Sequence, residues 1–280
     1  MKALATLLVG LLFVVPLLFV LEVSLHPEGR GLQDGPGALL EERQADEDGR
    51  VVAGAAFENY ARALDSMGDF PRLLMNTLVI TLLCIAGQLI CCSLAGYAFA
   101  RLEFRGRDGL FLLVLATMLL PEQVSAIPRF LLFRWLGLVD TFAPLVLPTV
   151  LGGAPFFVFL FRQAFLSLPA ELTEAARLDG CSPWKTYWSV CLPLVRPMLV
   201  TVGVLTFLAT WNDFWAPLIY LLSPENRTLT LALAGFHQTY NTAVELMMAA
   251  TAVVIAPCLL VYFLAQRLFL GGIRTAASKH

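Results

Sequence analysis

Six long apolar stretches constrain the fold of this chain more than any other feature of the sequence. They are Leu4–Leu21, Leu74–Ala100, Leu110–Ile127, Phe142–Phe161, Val195–Tyr220 and Leu246–Ala265. A helix that crosses a bilayer needs about 20 predominantly apolar residues, and each stretch is close to that length. Arg196, the second residue of its stretch, is the only Lys or Arg in any of them, because a basic charge is costly to bury in lipid. The pattern predicts an all-α membrane protein with six transmembrane helices.

The composition excludes several other classes of protein. Hydrophobic residues make up 58% and charged residues 14% of the 280 positions, with a mean hydropathy of +0.75. Soluble domains average about 45–50% hydrophobic and about 25% charged residues. A net charge of −2 argues against binding of nucleic acid, and the apolar excess excludes a disordered chain. The His and Cys residues are scattered without metal-ligand spacing, so we expect no metal site.

Basic residues in the loops predict the orientation of the chain. On the side of Met1 about one loop residue in six is Lys or Arg, against about one in eleven on the other side. Because basic residues accumulate in cytoplasmic loops, both termini are predicted to be cytoplasmic. The first stretch is predicted to be an uncleaved anchor, since its apolar run is longer than that of a secretory signal.

The predicted organisation has four parts. A first transmembrane helix occupies 1–25, an external loop with a short helix occupies 26–72, a permease-like core occupies 73–270, and a cytoplasmic tail occupies 271–280. The start of the external loop, 26–56, is rich in acidic residues, Gly and Pro, which is typical of solvated chain. Helical spacing of apolar residues then predicts a short helix from Phe57 to Leu64.

The loop between the fourth and fifth stretches, 166–194, is far longer than an antiparallel connection needs. Ser167 and Pro169 are typical of a helix start, and Gly180 after Asp179 is typical of a helix end. A second short helix is predicted from Ser182–Pro183 to Leu192–Pro193. The loop is therefore predicted to be a helix-turn-helix on the cytoplasmic face.

One face of the first loop helix is small and acidic. Leu172, Ala175, Ala176 and Asp179 share this face. A helix resting on lipid headgroups would need basic residues on its polar side and bulky apolar residues on the other. The composition therefore favours docking into a protein partner over binding to the membrane surface.

The same loop resembles a known motif. The segment Glu174–Gly180, then Trp184, Tyr187, Leu192–Leu194 and Pro197, resembles the EAA loop of the membrane subunits (permeases) of bacterial ATP-binding-cassette importers. This is the binding-protein-dependent transport inner membrane component family. Four further segments resemble its carbohydrate-importing branch, and specifically the MalG-like second subunit of maltose importers. These segments are Pro121–Val124, Leu136–Thr141, Phe161–Phe165 and Trp211–Phe214.

The resemblance implies a type I importer permease fold with a cytoplasmic coupling helix. It implies a second homologous permease subunit, two ATP-binding subunits and an extracytoplasmic solute-binding protein as partners, with a sugar as substrate. In the coupling helix, Glu174 and Asp179 would make polar contacts with an ATPase, while Ala175, Ala176 and Gly180 would allow its close approach. The lipid bilayer is the remaining partner, and no nucleic acid is expected.

The chain has no phosphate-binding G-x-x-x-x-G-K-[ST] motif. We therefore expect that it is not an enzyme and holds no cofactor, and that its partner subunits bind ATP and Mg²⁺. The energy for transport would reach this chain through the loop at 167–193.

Polar residues inside the stretches are candidates for a transport pathway or gate, because such groups usually face the interior of a bundle. They are Gln88, Glu122, Asn212 and Asp213. Asp213 lies about 27 Å along a helix from Val195, near the external interface. We favour packing or an external gate for Asp213 and Glu122 over contact with substrate, and an interhelical hydrogen bond for Gln88.

Two alternatives remain open. The same machinery could carry another solute, such as a glycerophosphodiester, a polyamine or an amino acid. A secondary carrier driven by an ion gradient would need inverted repeats and charged or broken helices at mid-membrane, and the sequence shows neither.

Overall fold

The computed structural model describes residues 2–26, 53–239 and 243–277, and every regular element within these ranges is helical. The all-α fold is therefore confirmed. The helices are α1 (Lys2–Ser24), α2 (Ala53–Ser66), α3 (Phe70–Arg101), α4 (Arg107–Ala116), α5 (Glu122–Trp135), α6 (Ala143–Leu151), α7 (Pro155–Leu166), α8 (Ala170–Leu178), α9 (Pro183–Leu194), α10 (Arg196–Trp211), α11 (Trp215–Tyr220), α12 (Leu229–Thr239) and α13 (Val244–Ala277).

Three helical segments in the described ranges are long and apolar enough to cross a membrane. They are Phe70–Arg101, Ala143–Leu166 and Val244–Gln266. Two bent pairs, α4 with α5 and α9 with α10, would each add one more span. The structure thus supports three to five spans, and the count of six stays a prediction. Large apolar side chains are exposed on these helices, as expected for surfaces that meet lipid or another subunit.

Three of the predicted spans are interrupted rather than continuous. In the 142–161 stretch the interruption lies between α6, which ends at Leu151, and α7, which begins at Pro155. In the 110–127 stretch, α4 runs into a short 3-10 turn and stops before Pro121, and α5 starts at Glu122. Proline has no N–H to continue the hydrogen-bond ladder, which favours a break there. In the 195–220 stretch, α10 stops at Trp211 and α11 begins at Trp215. Apolar content alone does not reveal such breaks.

The helices form two compact units, one of residues 1–75 and 227–259 and one of residues 76–226 and 260–280. In the first unit, Asn59 Nδ2 donates to the carbonyl oxygens of Ser24 and His26 at 3.0 and 2.7 Å, and Tyr60 Oη lies 2.8 Å from Ser24 Oγ. These bonds fasten α2 to the end of α1. The short helix predicted at 57–64 is confirmed and is longer, and most of the predicted external loop, 27–52, lies outside the described residues.

The core of the second unit is formed where α3 packs on α7. A Cβ placed on Gly96 of α3 would lie 2.5 Å from the Cβ of Phe161 and 2.9 Å from the backbone nitrogen of Arg162. Only a residue without a side chain allows this approach. Phe161 and Phe165 of α7 are fully buried beside Tyr97 of α3. This tight contact supports the loop that follows α7.

Candidate coupling site

The first loop helix, α8, ends as the sequence predicts. Gly180 adopts a left-handed backbone with φ of 78°. Its N–H donates to the carbonyl oxygen of Arg177 at 3.1 Å, and the N–H of Cys181 donates to that of Ala176 at 2.9 Å. This pair of bonds is the Schellman helix end, in which glycine supplies the left-handed residue. Asp179 and Gly180 therefore terminate α8, whatever else they do.

The start of α8 differs from the expectation. Ser167 ends the preceding helix instead of starting α8, because its N–H donates to the Gln163 carbonyl oxygen at 3.1 Å and its hydroxyl to that of Ala164 at 2.8 Å. Pro169, in an extended conformation, stands directly before the first residue of α8, Ala170. A serine hydroxyl can serve either end of a helix, so the sequence did not decide between them.

The second loop helix, α9, begins at its predicted cap, where Ser182 Oγ accepts from the N–H of Lys185 at 3.3 Å. It ends at Leu194, within a residue of the predicted end at Leu192–Pro193. A π-helical turn over Tyr187–Cys191 carries it on to Leu194. Such a turn re-spaces the backbone donors ahead of a proline. The chain then bends by 78° at Val195 into α10, which joins the loop directly to the next span.

Four of the five predicted coupling residues lie on the exposed surface of α8 and its end. Glu174, Ala175, Asp179 and Gly180 are exposed, whereas the side chain of Ala176 is buried in this chain, at 6% exposure. The predicted face is thus divided, because Ala176 packs inward. Within the described residues the carboxylate of Glu174 makes no hydrogen bond, so both of its oxygens are available to a partner.

Two hydroxyl contacts fix the inner side of the loop to α3. Tyr187 Oη lies 2.7 Å from Ser93 Oγ, and Tyr97 Oη donates to the carbonyl oxygen of Pro183 at 3.2 Å. The ring of Tyr97 also contacts those of Phe165 and Tyr187, with centroids 5.5 and 5.2 Å apart. The loop therefore rests on a buried aromatic cluster.

Arg101, at the end of α3, makes the third attachment. Its guanidinium donates to the carbonyl oxygen of Phe165 from Nε at 3.1 Å and from Nη2 at 2.6 Å, and Nη2 also donates to that of Leu168. These carbonyls belong to the end of α7 and the turn after it, where the regular helical hydrogen bonds stop. The Phe165 carbonyl oxygen also accepts from the N–H of Leu168 at 3.3 Å. Arg101 therefore fixes the end of α7 and the turn that connects it to α8.

From the sequence, Arg101 is predicted only to be one of the basic residues of the cytoplasmic loops, and no anchoring role is predicted for Ser93 and Tyr97. The signal that was available is their spacing. Residues 93, 97 and 101 recur every four positions and so lie along one face of α3. Polar side chains in a line on an otherwise apolar helix indicate a face turned toward protein.

The candidate pathway residues fall in different surroundings. Gln88 Oε1 accepts from the N–H of Ala154, at the break between α6 and α7, at 2.9 Å and from the thiol of Cys92 at 3.0 Å. The expected interhelical hydrogen bond of Gln88 is confirmed. The backbone of Glu122 begins α5, and its side chain lies outside what the structure describes.

Asn212 and Asp213 lie at the break between α10 and α11. Asn212 Nδ2 donates to the carbonyl oxygen of Leu208 at 2.8 Å, and Asp213 Oδ1 accepts from the N–H of Ala216 at 3.2 Å. Each side chain thus binds a backbone group at one side of the break. This geometry agrees with a packing role at a helix break.

The fold and the loop together define a class: a helical membrane protein that presents a rigidly mounted helix between two of its membrane segments. The chain belongs to the family described as binding-protein-dependent transport system inner membrane component, whose family model matches residues 92–275. It is therefore a membrane-embedded transport component, a permease subunit, and not an enzyme.

Named relatives cover nearly the whole chain. The arabinooligosaccharides transport system permease protein AraQ of Halalkalibacterium halodurans is 30% identical over 97% of this chain and 93% of its own length. The lactose transport system permease protein LacG of Rhizobium radiobacter is 31% identical over 80% of this chain and 81% of its own.

A solved structure agrees with the fold. A bacterial ABC transporter involved in the import of the acidic polysaccharide alginate has a chain that superposes with a TM-score of 0.74. That chain is 25% identical, and the match covers 95% of both chains.

Proposed function

We propose that this chain is the permease subunit of an ATP-driven importer of carbohydrate. The similar proteins support a sugar as the substrate class, since two are named for arabinooligosaccharides and lactose, a third for diacetylchitobiose and the solved neighbour for alginate. The chain would line the translocation pathway together with a second, homologous permease subunit.

The proposed assembly also holds two ATP-binding subunits in the cytoplasm and a solute-binding protein outside it. Both termini and the 167–193 loop are cytoplasmic in this proposal. ATP and Mg²⁺ are bound by the partner subunits, and this chain carries no cofactor of its own. A second neighbour, a bacterial alginate ABC transporter in complex with its pentasaccharide-bound periplasmic protein, superposes with a TM-score of 0.62 at 16% identity and supports the fold.

The observation that carries the coupling proposal is the two-sided placement of α8. One side exposes Glu174, Ala175, Asp179 and Gly180, while Ala176 and the flanking segments are packed against the chain. An ATPase cleft that grips the exposed side acts on a body already bonded to α3 and α7. Movement of the ATPases is thereby transmitted as a rigid-body shift of the attached helices.

The candidate gate residues take different parts in this proposal. The hydrogen bond between Gln88 and the Ala154 N–H fixes the break between α6 and α7 to α3. Asn212, Asp213 and Glu122 lie at or beside breaks in the helices, where a change of helix direction can open or close a passage. We assign them to an external gate.

The coupling proposal is tested by Gly180→Val in the assembled transporter. A Cβ on Gly180 meets nothing within 4 Å in this chain, so the added side chain acts on the left-handed backbone and on whatever docks there. We expect uptake to fall by about five- to 150-fold, the range of a coupling energy of 1–3 kcal/mol, with unchanged amounts of the chain in the membrane.

Gly68→Val is the matched control, because Gly68 also has a left-handed backbone, with φ of 87°, and open space around it. It lies outside the loop and should leave the ratio of uptake to ATP hydrolysis unchanged. Glu174→Lys should uncouple in the same way as Gly180→Val, whereas Glu103→Lys, at another exposed site, should not. Normal uptake by both loop variants would contradict the docking proposal.

The substrate class is tested separately by competition. Labelled uptake in cells should be reduced by oligosaccharides and left unchanged by glycerophosphodiesters, polyamines and amino acids. If one of these non-sugar solutes competes and oligosaccharides do not, that solute replaces carbohydrate as the proposed substrate class. The coupling proposal is unaffected by that result.

A further inference from the structure

A carboxylate binds the segment that follows α11, more than 80 residues away in the chain. The 167–193 loop, called the coupling loop from here on, precedes the other end of the same predicted span. Asp140, in the linker between α5 and α6, accepts at Oδ1 from the backbone N–H groups of Leu222 and Ser223, both at 2.9 Å. Its Oδ2 is hydrogen-bonded to Ser223 Oγ. Hydrogen bonds accepted by a charged carboxylate are stronger than the same bonds between neutral groups.

The backbone of Asp140 takes part as well. Its N–H donates to the carbonyl oxygen of Tyr220 at 2.8 Å, and its own carbonyl oxygen accepts from Asn226 Nδ2 at 2.7 Å. Asp140 is the only residue other than glycine in the described ranges with a positive φ, 63°. Asp and Asn tolerate this conformation better than most residues. We call this set of contacts, Asp140 with residues 220–226, the Asp140 clasp.

The Asp140 clasp joins elements from three parts of the chain. Phe133 of α5 packs edge-on against Tyr220 of α11, with ring centroids 5.7 Å apart. Asn76 Nδ2 of α3 donates to the carbonyl oxygen of Glu225 at 2.8 Å. The end of α11 and the turn after it are therefore hydrogen-bonded to α3 and to the α5–α6 linker and packed against a ring of α5.

The other end of α11 is a helix break. Three residues that are not helical, 212–214, separate it from α10, and Asp213 caps its first turn through the Ala216 N–H. Beyond the break, the 16 residues of α10 extend for about 24 Å to the bend at Val195 and the coupling loop. The fifth predicted span is thus fixed at one end by the Asp140 clasp and joined at the other end to the coupling loop. Between these ends it is interrupted at residues 212–214.

We propose that Asp140 is a positioning residue that holds α11 in place while α10 moves, so that this span bends at residues 212–214 during transport. The inference rests on the proposed coupling function, because the movement of α10 comes from the loop. The hydrogen-bonded carboxylate and the left-handed backbone hold the end of α11, and the broken helix provides the place to bend. Transport then requires a closed clasp in every state of the cycle.

The experiment measures two distances between spin labels in the assembled transporter, with and without nucleotide. One pair, at Leu136 and Leu222, reports on the Asp140 clasp, and the other, at Leu205 and Leu218, spans the break. All four side chains are exposed. We expect the distance across the break to change with nucleotide and the distance across the clasp to stay constant.

Asp140→Gly keeps the left-handed backbone and removes the carboxylate, so it should broaden the clasp distance and lower uptake about fivefold or more. Asp140→Asn, which keeps the backbone preference and one acceptor oxygen, should retain part of the uptake. ATP hydrolysis and cross-linking of α8 to the ATPase should persist in both variants, which separates a failed clasp from a failed coupling loop.

Three results would overturn the inference. The first is a clasp distance that changes as much as the distance across the break. The second is no change in either distance while uptake persists, which would leave the coupling function intact. The third is an Asp140→Gly chain that is present in normal amounts and transports normally.

Discussion

Arg101 and Phe165, 64 residues apart in the chain, are joined by two hydrogen bonds from one guanidinium to one carbonyl oxygen, at 2.6 and 3.1 Å. The end of α3 thereby holds the end of α7 immediately before the coupling loop. A helix end buried without a partner for its carbonyls would be unstable. The segment that follows α7 is thus attached to the end of α3 by a single guanidinium.

Arg101→Ala should loosen the coupling loop. It removes the Arg101 donor of the Leu168 carbonyl and leaves the Phe165 carbonyl with the Leu168 N–H at 3.3 Å. The cost is about 1.5–3 kcal/mol for a hydrogen bond to a charged group. We expect a lower melting temperature of the purified complex and lower uptake per ATP hydrolysed. Arg105→Ala removes an exposed arginine of the same region and serves as the control. Equal melting temperatures for the two variants would contradict the role of Arg101.

Gly96→Ala should destabilise the second unit. The added Cβ would lie 2.5 Å from the Phe161 Cβ and 2.9 Å from a backbone atom, and that backbone cannot rotate away as a flexible side chain can. Overpacking of this kind costs about 1–3 kcal/mol. Gly109→Ala, at a helical glycine with nothing within 4 Å, should be neutral or stabilising by up to about 1 kcal/mol. Thermal unfolding in detergent compares the two, and the opposite order of stability would disprove the close approach.

The stability supplied by Asp140 should depend on pH in the acid range. Its hydrogen bonds, first from the Ser223 side chain and then from the Ser223 backbone, lower the pKa of this carboxyl from 3.8 to about 2. A lowered pKa stabilises the folded state fully above the unfolded value, and the stabilisation is lost as the pH falls toward the folded value.

The measurement is the difference in melting temperature between the wild-type chain and Asp140→Asn. It should be constant between pH 8 and about 5 and shrink as the pH falls from 5 to 3. Ser223→Ala removes the largest cause of the shift and should move the decline toward higher pH. A melting-temperature difference that grows as the pH falls would contradict stabilisation by the ionised Asp140 carboxylate.

The purified chain should not bind ATP by itself. It lacks the glycine-rich loop with Lys and Ser or Thr that holds phosphates. Titration with a fluorescent ATP analogue should show saturable binding only after the ATP-binding subunits are added. Saturable, Mg²⁺-dependent binding to the isolated chain would show that part of the energy source lies within it.

Local signals in the sequence were sufficient for two helix boundaries in the coupling loop. Gly180 ends α8 and Ser182 caps α9 as predicted, because each acts on backbone groups within a few residues of itself. The apolar stretches likewise predicted helices, since lipid demands internal backbone hydrogen bonds.

The features that sequence analysis missed depend on distant partners. Arg101 and Asp140 bind groups more than 60 residues away, and nothing next to them in the sequence identifies those groups. The bend at Val195 and the break after Trp211 lie inside apolar runs, where hydropathy is the same for a straight helix and a broken one. Ala176 was placed on the docking face because periodicity cannot tell which side of a short helix its own chain covers.

Cross-linking from Ala175 tests the central claim most directly. Ala175→Cys, in a chain whose Cys181 is replaced by Ser, places a single thiol on the exposed side of α8. In membranes that contain the complete transporter, a short thiol-to-amine cross-linker should join it to an ATP-binding subunit, and a membrane-impermeant thiol reagent applied to intact cells should not reach it. A thiol that reacts from outside the cell, or that never cross-links to an ATP-binding subunit in an active transporter, would contradict coupling through this loop.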